Sequence, residues 1–92
     1  MLETIDLTAL EAGESAVVET VGGEEGMRRR LMDLGLIGGT QVTCLGKSPA
    51  GDPAAYLIRG AVIALRGADA GSVTARRVLK HTFARIPAAR VL

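Results

Sequence analysis

The sequence predicts a small, mainly β domain, an antiparallel β-barrel with one inserted α-helix. Twelve glycines among 92 residues supply the tight turns that short strands need. Five short runs rich in aliphatic and β-branched residues are separated by such turns, and one segment, residues 24–35, has the periodicity of an amphipathic helix. A Greek-key barrel of the oligonucleotide-binding type has a similar element count and stays open, although its usual stacking aromatics are missing.

Composition limits the kinds of protein this chain can be. Its 92 residues are enough for one domain, and the net charge of +1 is too small to attract nucleic acid through the overall field. The single cysteine, Cys44, cannot form an internal disulfide, and the amino end lacks the pattern of a signal peptide. The longest clean apolar run, Ala61 to Leu65, is far shorter than the roughly 20 residues of a membrane helix. We therefore expect a cytoplasmic protein.

The first half of the chain is predicted to contain two strands with the helix between them. After a brief extended start, residues 6–10 form a short helical turn. The first strand covers residues 15–21 and ends at a glycine pair, and the second covers residues 41–47.

The inserted helix is predicted to cover the sheet with a narrow apolar stripe. At about 100° per residue, Met27, Leu31 and Leu34 lie within about 60° of one another. Gly35 is placed where a left-handed carboxyl cap would end the helix.

The second half is predicted to contain a hairpin and a last strand. Residues 48–53 form a surface loop, because two prolines and a glycine exclude a helix or central strand. Residues 54–58 and 61–65 then pair across the two-residue turn Arg59-Gly60. A single helical turn and a strand over residues 73–79 complete a domain of residues 1–79, and residues 80–92 are predicted to be an appendage, either a tail or a short helix.

The segments RRRLMDLGLIGGTQV and SPAGDPAAYLIRGAVIALRGADAGSV, in this order, resemble the FeoA family of small bacterial proteins that accompany the ferrous iron transporter FeoB. The resemblance covers residues 7–79. It implies an SH3-like barrel in the cytoplasm, without catalysis or a resident cofactor, that binds the cytoplasmic part of the transporter to regulate or assemble it. Family members usually carry proline before the Gly39-Thr40 pair, where this chain has Gly38.

The inserted helix also carries the residues predicted to bind a partner. Arg28, Arg29 and Arg30 wrap around the helix axis and do not form one basic face. Met32 points away from the apolar stripe and lies next to Arg28, and an adaptable thioether beside an arginine is typical of protein-binding surfaces. We therefore predict partner-binding residues at Arg28, Arg29 and Met32, with a simple solvated helix face as the alternative.

Metal binding and catalysis have little support in the sequence. Cys44 is predicted to be a buried thiol and His81 a solvated side chain, so neither belongs to a visible cluster of ligands. Weak divalent metal binding stays open, with His81 and Cys44 as the weak candidates, and so does binding shared between two molecules through His81 and carboxylates. The glycine pairs also lack the lysine-threonine ending of a phosphate-binding loop, so we expect no enzyme.

One alternative function remains at this stage. A metal-regulator-like protein is the alternative, because a small barrel of this kind also occurs as an accessory domain of iron-dependent repressors, but the sequence contains no DNA-reading helix pair. An RNA-binding barrel would have to use the basic end formed by Arg76, Arg77, Lys80 and Arg85, without a stacking platform, so we expect no nucleic acid partner. The sequence does not decide between a monomer and a homo-oligomer.

Overall fold

The computed structural model describes residues 3–78. Its six strands pair only in antiparallel fashion, in the order β1-β6-β2-β3-β4-β5. The strands are β1 (Thr4–Asp6), β2 (Ser15–Val21), β3 (Gln41–Lys47), β4 (Ala54–Ile58), β5 (Ala61–Leu65) and β6 (Val73–Arg77). Helix α1 (Glu25–Asp33) connects β2 to β3, α2 (Gly67–Ala70) connects β5 to β6, and a 3-10 turn (Leu7–Ala9) follows β1.

The predicted mainly antiparallel fold, with one inserted helix and a short helical turn near each end, is confirmed. The structure adds a sixth strand, Thr4–Asp6, which pairs with β6 and which the sequence showed only as a brief extended start. Strands β1 and β5 lie at opposite edges and do not pair within residues 3–78, so the sheet is open and is not the closed barrel that was predicted. With three residues, β1 offers few backbone groups for closure. The last strand ends at Arg77, and Leu79 lies outside the described residues.

The core lies on the inner face of the sheet, where alternate strand residues are buried. Tyr56 is almost fully buried at the centre of β4, and its hydroxyl donates a hydrogen bond of 3.2 Å to the Leu7 carbonyl oxygen. This bond ties the 3-10 turn to the middle of the sheet. The other large, fully buried side chains are Leu7, Leu10, Val18, Leu31, Leu36, Val42, Cys44, Ile58 and Val73.

Helix α1 begins and ends with recognisable caps. The Glu24 carboxylate accepts a hydrogen bond from the Met27 amide at the amino end. At the carboxyl end Gly35 has a φ of 111°, its amide donates to the Met32 carbonyl, and the Leu36 amide donates to the Leu31 carbonyl. These two bonds are a Schellman motif, so the predicted left-handed cap at Gly35 is confirmed.

The predicted burial of Leu34 is wrong. Leu34 is 42% exposed, whereas Leu31 and Leu36 are buried and Met27 is partly buried. The left-handed residue Gly35 turns the chain back toward the helix, and a Schellman motif brings its last residue against the final helical turn. Leu36 therefore takes the place in the core that the helical period assigned to Leu34.

The β4–β5 hairpin has the predicted two-residue turn. Arg59 and Gly60 have φ values of 50° and 84°, and Ile58 pairs with Ala61 on either side of them. Positive φ at both turn residues is typical of the primed turns that match the twist of a hairpin.

Candidate functional site

The outer flank of α1 places Arg28 and Met32 in contact. The two residues are one helical turn apart, and the Arg28 Nη1 atom lies 3.4 Å from the Met32 sulfur, to which it donates. Arg28 is partly buried, while Met32 is 40% exposed although it is a large apolar residue. The prediction that Met32 points outward beside Arg28 is thus confirmed as a matter of geometry.

A shallow groove of about 270 Å³ lies beside this pair, and we call it the α1 groove. Its walls come from α1, from the end of β2 and from the segment that follows the helix. Ile37 is 40% exposed at its border. The groove is lined by Glu19, Thr20, Val21, Arg28, Met32, Leu36, Ile37 and Gly38. An apolar side chain of a partner would fit against the apolar part of such a surface.

Two charged groups on the α1 groove have different surroundings. Glu19 forms an ion pair with Arg76, so its charge is already balanced. No carboxylate within residues 3–78 forms an ion pair with the Arg28 guanidinium, whose recorded side-chain contact is with the Met32 sulfur. The α1 groove therefore offers a partner an apolar surface with an available cation at its side.

Arg29 lies on the opposite side of the same flank. It is exposed, and together with Glu25, Arg28, Met32 and Asp33 it borders a second depression of about 190 Å³. Arg28 and Met32 line both depressions, whereas Arg29 lines only the second. The three predicted partner-binding residues thus share one surface, with Arg28 and Met32 at its centre.

The sequence reasoning missed the residues outside the helix that complete this surface. Val21 belongs to β2, and Ile37 follows the Schellman turn. Their meeting with Met32 depends on how α1 packs on the sheet, which helical periodicity does not show. The only local signal was Ile37, a large apolar residue directly before the pair Gly38-Gly39.

Only one of the two metal candidates, Cys44, lies within the described residues. Cys44 is fully buried in β3 opposite Tyr56, as predicted for a buried thiol. His81 lies outside the described residues. Over residues 3–78 no group of three or more histidine, cysteine, aspartate or glutamate side chains is arranged to hold a metal ion.

The predicted basic end is only partly described. Arg76 pairs with Glu19, and Arg77 bridges Glu3 and Glu14, so carboxylates balance both arginines locally. The other two residues of that end, Lys80 and Arg85, lie outside residues 3–78. Neither of the two described arginines of this end is therefore an unpaired cation.

Comparison with known proteins shows which family the chain is similar to. A family model described as the FeoA domain matches residues 5–77. A curated relative, the Fe(2+) transport protein A/Fe(2+) transporter FeoB fusion protein of Porphyromonas gingivalis, is 31% identical over 67 residues. The match covers 73% of this chain but only 8% of the relative, so the chain spans less than a tenth of that protein.

Solved structures share the fold. An FeoA-like protein from Clostridium acetobutylicum is 33% identical, with a TM-score of 0.79 over 88% of this chain and 94% of that one. FeoA from Stenotrophomonas maltophilia, solved with zinc and described as a procaryotic SH3 domain protein, is 32% identical, with a TM-score of 0.69 over 77% of this chain and 88% of that one. The open antiparallel sheet is therefore SH3-like. Within the described residues, no helix has the length and hydropathy that a membrane span requires.

Proposed function

The chain belongs to the FeoA family, and on this premise we propose that it is a non-catalytic accessory protein of ferrous iron uptake. It acts in the cytoplasm, where it binds the cytoplasmic part of a FeoB-type transporter and regulates or assembles it. The family itself is linked to ferrous iron transport.

The observation that carries this proposal is the fusion of the two proteins in a relative. In the Porphyromonas gingivalis protein, an FeoA region and the FeoB transporter are parts of one chain. Fusion keeps two domains at a high effective concentration, on the order of millimolar for a short linker. The FeoA region and the transporter therefore work side by side in that protein, and we infer that this chain likewise contacts a FeoB-type transporter.

The flank around Arg28, Arg29 and Met32 is the surface we propose for this contact. Exposed methionine, arginine and aliphatic side chains are the residue types that adaptable protein interfaces use. Because α1 is held by caps at both ends and by Leu31 in the core, the flank is presented on a rigid element. Little conformational entropy is then lost from the backbone on binding.

Titration of the purified chain tests the proposed function. The chain is titrated with the soluble cytoplasmic domain of a FeoB-type transporter and, separately, with single-stranded RNA, each over a range of salt concentrations. Saturable binding to the transporter domain is expected. Binding to RNA alone, weakening steeply with salt as phosphate contacts do, would overturn the proposal.

A further inference from the structure

The two edges of the sheet differ in how well they are protected against pairing with another chain. Strand β1 has three residues and ends at Asp6, and a short edge with a charged residue is a poor template for pairing. Strand β5 has five residues, Ala61–Leu65, with no charge, no proline and no bulge in its pairing with β4. Val62 on this edge is 67% exposed. The β5 edge therefore lacks the usual protective features.

The hairpin turn decides which backbone groups of β5 are free. Residues that flank a two-residue turn exchange hydrogen bonds with each other, so Ala61 bonds to Ile58 and, two residues on, Ile63 bonds to Tyr56. The amide and carbonyl groups of the intervening residues, Val62 and Ala64, then point away from β4. Within residues 3–78 no strand pairs with them.

The residue pattern of β5 fits a second copy of itself. When two β5 strands run antiparallel, the two Ile63 side chains meet at the two-fold axis. Val62 then faces Ala64 and Ala61 faces Leu65, so each of these flanking pairs joins a larger side chain to a small one. The outward groups of Val62 and Ala64 then complete each other's hydrogen bonds across the two-fold axis. We propose that β5 pairs with β5 of a second copy in this register, which makes one continuous sheet from two chains.

Charges at the ends of the strand are compatible with this pairing. In the proposed register Arg66 lies opposite Gly60 of the second copy, and Arg59 lies opposite Gly67. No arginine directly faces another, so the repulsion that like charges cause in opposed positions is avoided. The uncharged strand between them loses no charge hydration on contact.

The pairing also covers the most exposed of the large apolar side chains within residues 3–78, Val62. Leu57 and Val62 are neighbours on the outer face of β4 and β5, and they are 39% and 67% exposed. Pairing places Ala64 of the second copy beside Val62. Because one strand pair buries less than the about 1,200 Å² of a standard interface, the dimer is expected to be weak.

Sedimentation equilibrium of the full chain, between about 10 µM and about 1 mM, tests the pairing. A monomer–dimer equilibrium is expected, and Val62→Lys should raise its dissociation constant at least about tenfold. The matched control Thr4→Lys, on the other sheet edge, should leave the dissociation constant unchanged. A chain that stays monomeric over this range, or a dimer insensitive to Val62→Lys, would overturn the proposal.

Disulfide trapping tests the register. In a Cys44→Ala background, Ile63→Cys is compared with Val62→Cys under mild oxidation. Two residues at position 63 would face each other as a non-hydrogen-bonded pair with Cα atoms about 4.5 Å apart, within disulfide range, whereas the two copies of residue 62 would be about 7 to 8 Å apart. Ile63→Cys should therefore cross-link faster although Val62 is the more exposed position. Faster cross-linking of Val62→Cys would contradict the register.

This inference is separate from the proposed function. The α1 groove is lined by residues of β2, α1 and the segment after the helix, and none of them belongs to β5. Loss of dimerisation in Val62→Lys should therefore leave binding to the transporter domain unchanged.

Discussion

The Arg59 side chain lies across the backbone of Gly35. Gly35 has a φ of 111°, and a β-carbon at this position would overlap Arg59 Cδ and lie 3.4 Å from Ile58 Cγ2. The carboxyl end of α1 thus abuts the β4–β5 turn. A side chain at position 35 would therefore have to displace the Arg59 side chain.

Substitution of Gly35 by alanine should therefore destabilise the protein. We expect Gly35→Ala to lower the free energy of unfolding by about 1 to 2 kcal/mol from the left-handed backbone alone, with a further loss from the overlap. Arg59→Ala in the same chain should recover only the free energy lost to the overlap, because it leaves the φ of residue 35 unchanged. Urea unfolding of the single and double variants measures both terms. A full recovery in the double variant would show that the left-handed backbone at position 35 costs alanine nothing.

The exchange of Leu34 for Leu36 in the core leads to a second prediction. Leu31→Ala and Leu36→Ala should each lower the free energy of unfolding by about 2 to 5 kcal/mol, because each leaves a cavity in the core. Leu34→Ala should cost less than about 1 kcal/mol, since Leu34 is 42% exposed. Thermal or urea unfolding checks the order. Equal losses at positions 34 and 36 would contradict the described end of α1.

The stability of the protein should depend on the ionisation of Tyr56 at high pH. Burial raises the pKa of the Tyr56 hydroxyl from 10.0 to about 12, with smaller contributions from Cys44, Asp6 and Asp52. Because the folded state holds this proton more tightly, the stabilisation is complete below pH 10 and is lost as the pH rises from 10 to about 12. The expected slope is about 1.4 kcal/mol per pH unit between the two pKa values.

Tyr56→Phe provides the control for this pH dependence. It should cost about 0.5 to 1.5 kcal/mol at neutral pH through loss of the hydrogen bond to Leu7, and it should remove the extra slope above pH 10. Because Tyr56 is the only tyrosine, tyrosinate absorbance reports its titration directly. Parallel stability curves for the two proteins above pH 10 would contradict a raised pKa.

The position at which family members usually carry proline offers a fourth prediction. Within residues 3–78 the Gly38 amide donates no hydrogen bond, but a β-carbon there would lie 3.2 Å from the Glu19 carbonyl oxygen. We expect Gly38→Pro to raise the free energy of unfolding by about 0.4 to 1 kcal/mol, because proline lowers the entropy of the unfolded chain. The small shift that the Glu19 carbonyl must make reduces this gain. Gly39→Pro is the contrasting control. It should be strongly destabilising, since Gly39 has a φ of 93° and its amide donates to Val18. A lower melting temperature for Gly38→Pro would show that the Glu19 carbonyl cannot move.

The strands could be predicted from the sequence because their signals are local. The β-branched residues of β2, the continuous apolar run of β4 and the turn Arg59-Gly60 are properties of neighbouring residues, and they need no knowledge of the rest of the fold. Closure of the sheet was not predicted correctly, because it depends on whether β1 and β5 meet across the whole domain. The length of β1, three residues, gave no pattern from which to judge this.

The candidate site also combines local features, which the sequence predicts, with features of tertiary packing, which it does not. Helical geometry placed Arg28 beside Met32 without any tertiary information. It could not place Val21 or Ile37, because the packing of α1 on β2 brings them to the same groove. Leu36 was within reach of the sequence, since a Schellman motif at Gly35 implies an apolar contact between Leu31 and the residue after the glycine. The prediction instead continued the helical period to Leu34, which lies one residue beyond the end of α1.

Binding of the FeoB-type cytoplasmic domain is tested most directly by its dissociation constant for four forms of this chain. These are the unmodified protein, Arg28→Glu, Met32→Asp and the control Leu45→Asp, whose exposed apolar residue lies on β3, away from the α1 groove. Circular dichroism confirms that each variant is folded. Arg28→Glu and Met32→Asp should each raise the dissociation constant at least about tenfold, and Leu45→Asp should leave it unchanged. Absence of binding by the unmodified chain would contradict the proposed function, and unchanged binding by both groove variants would contradict the proposed surface.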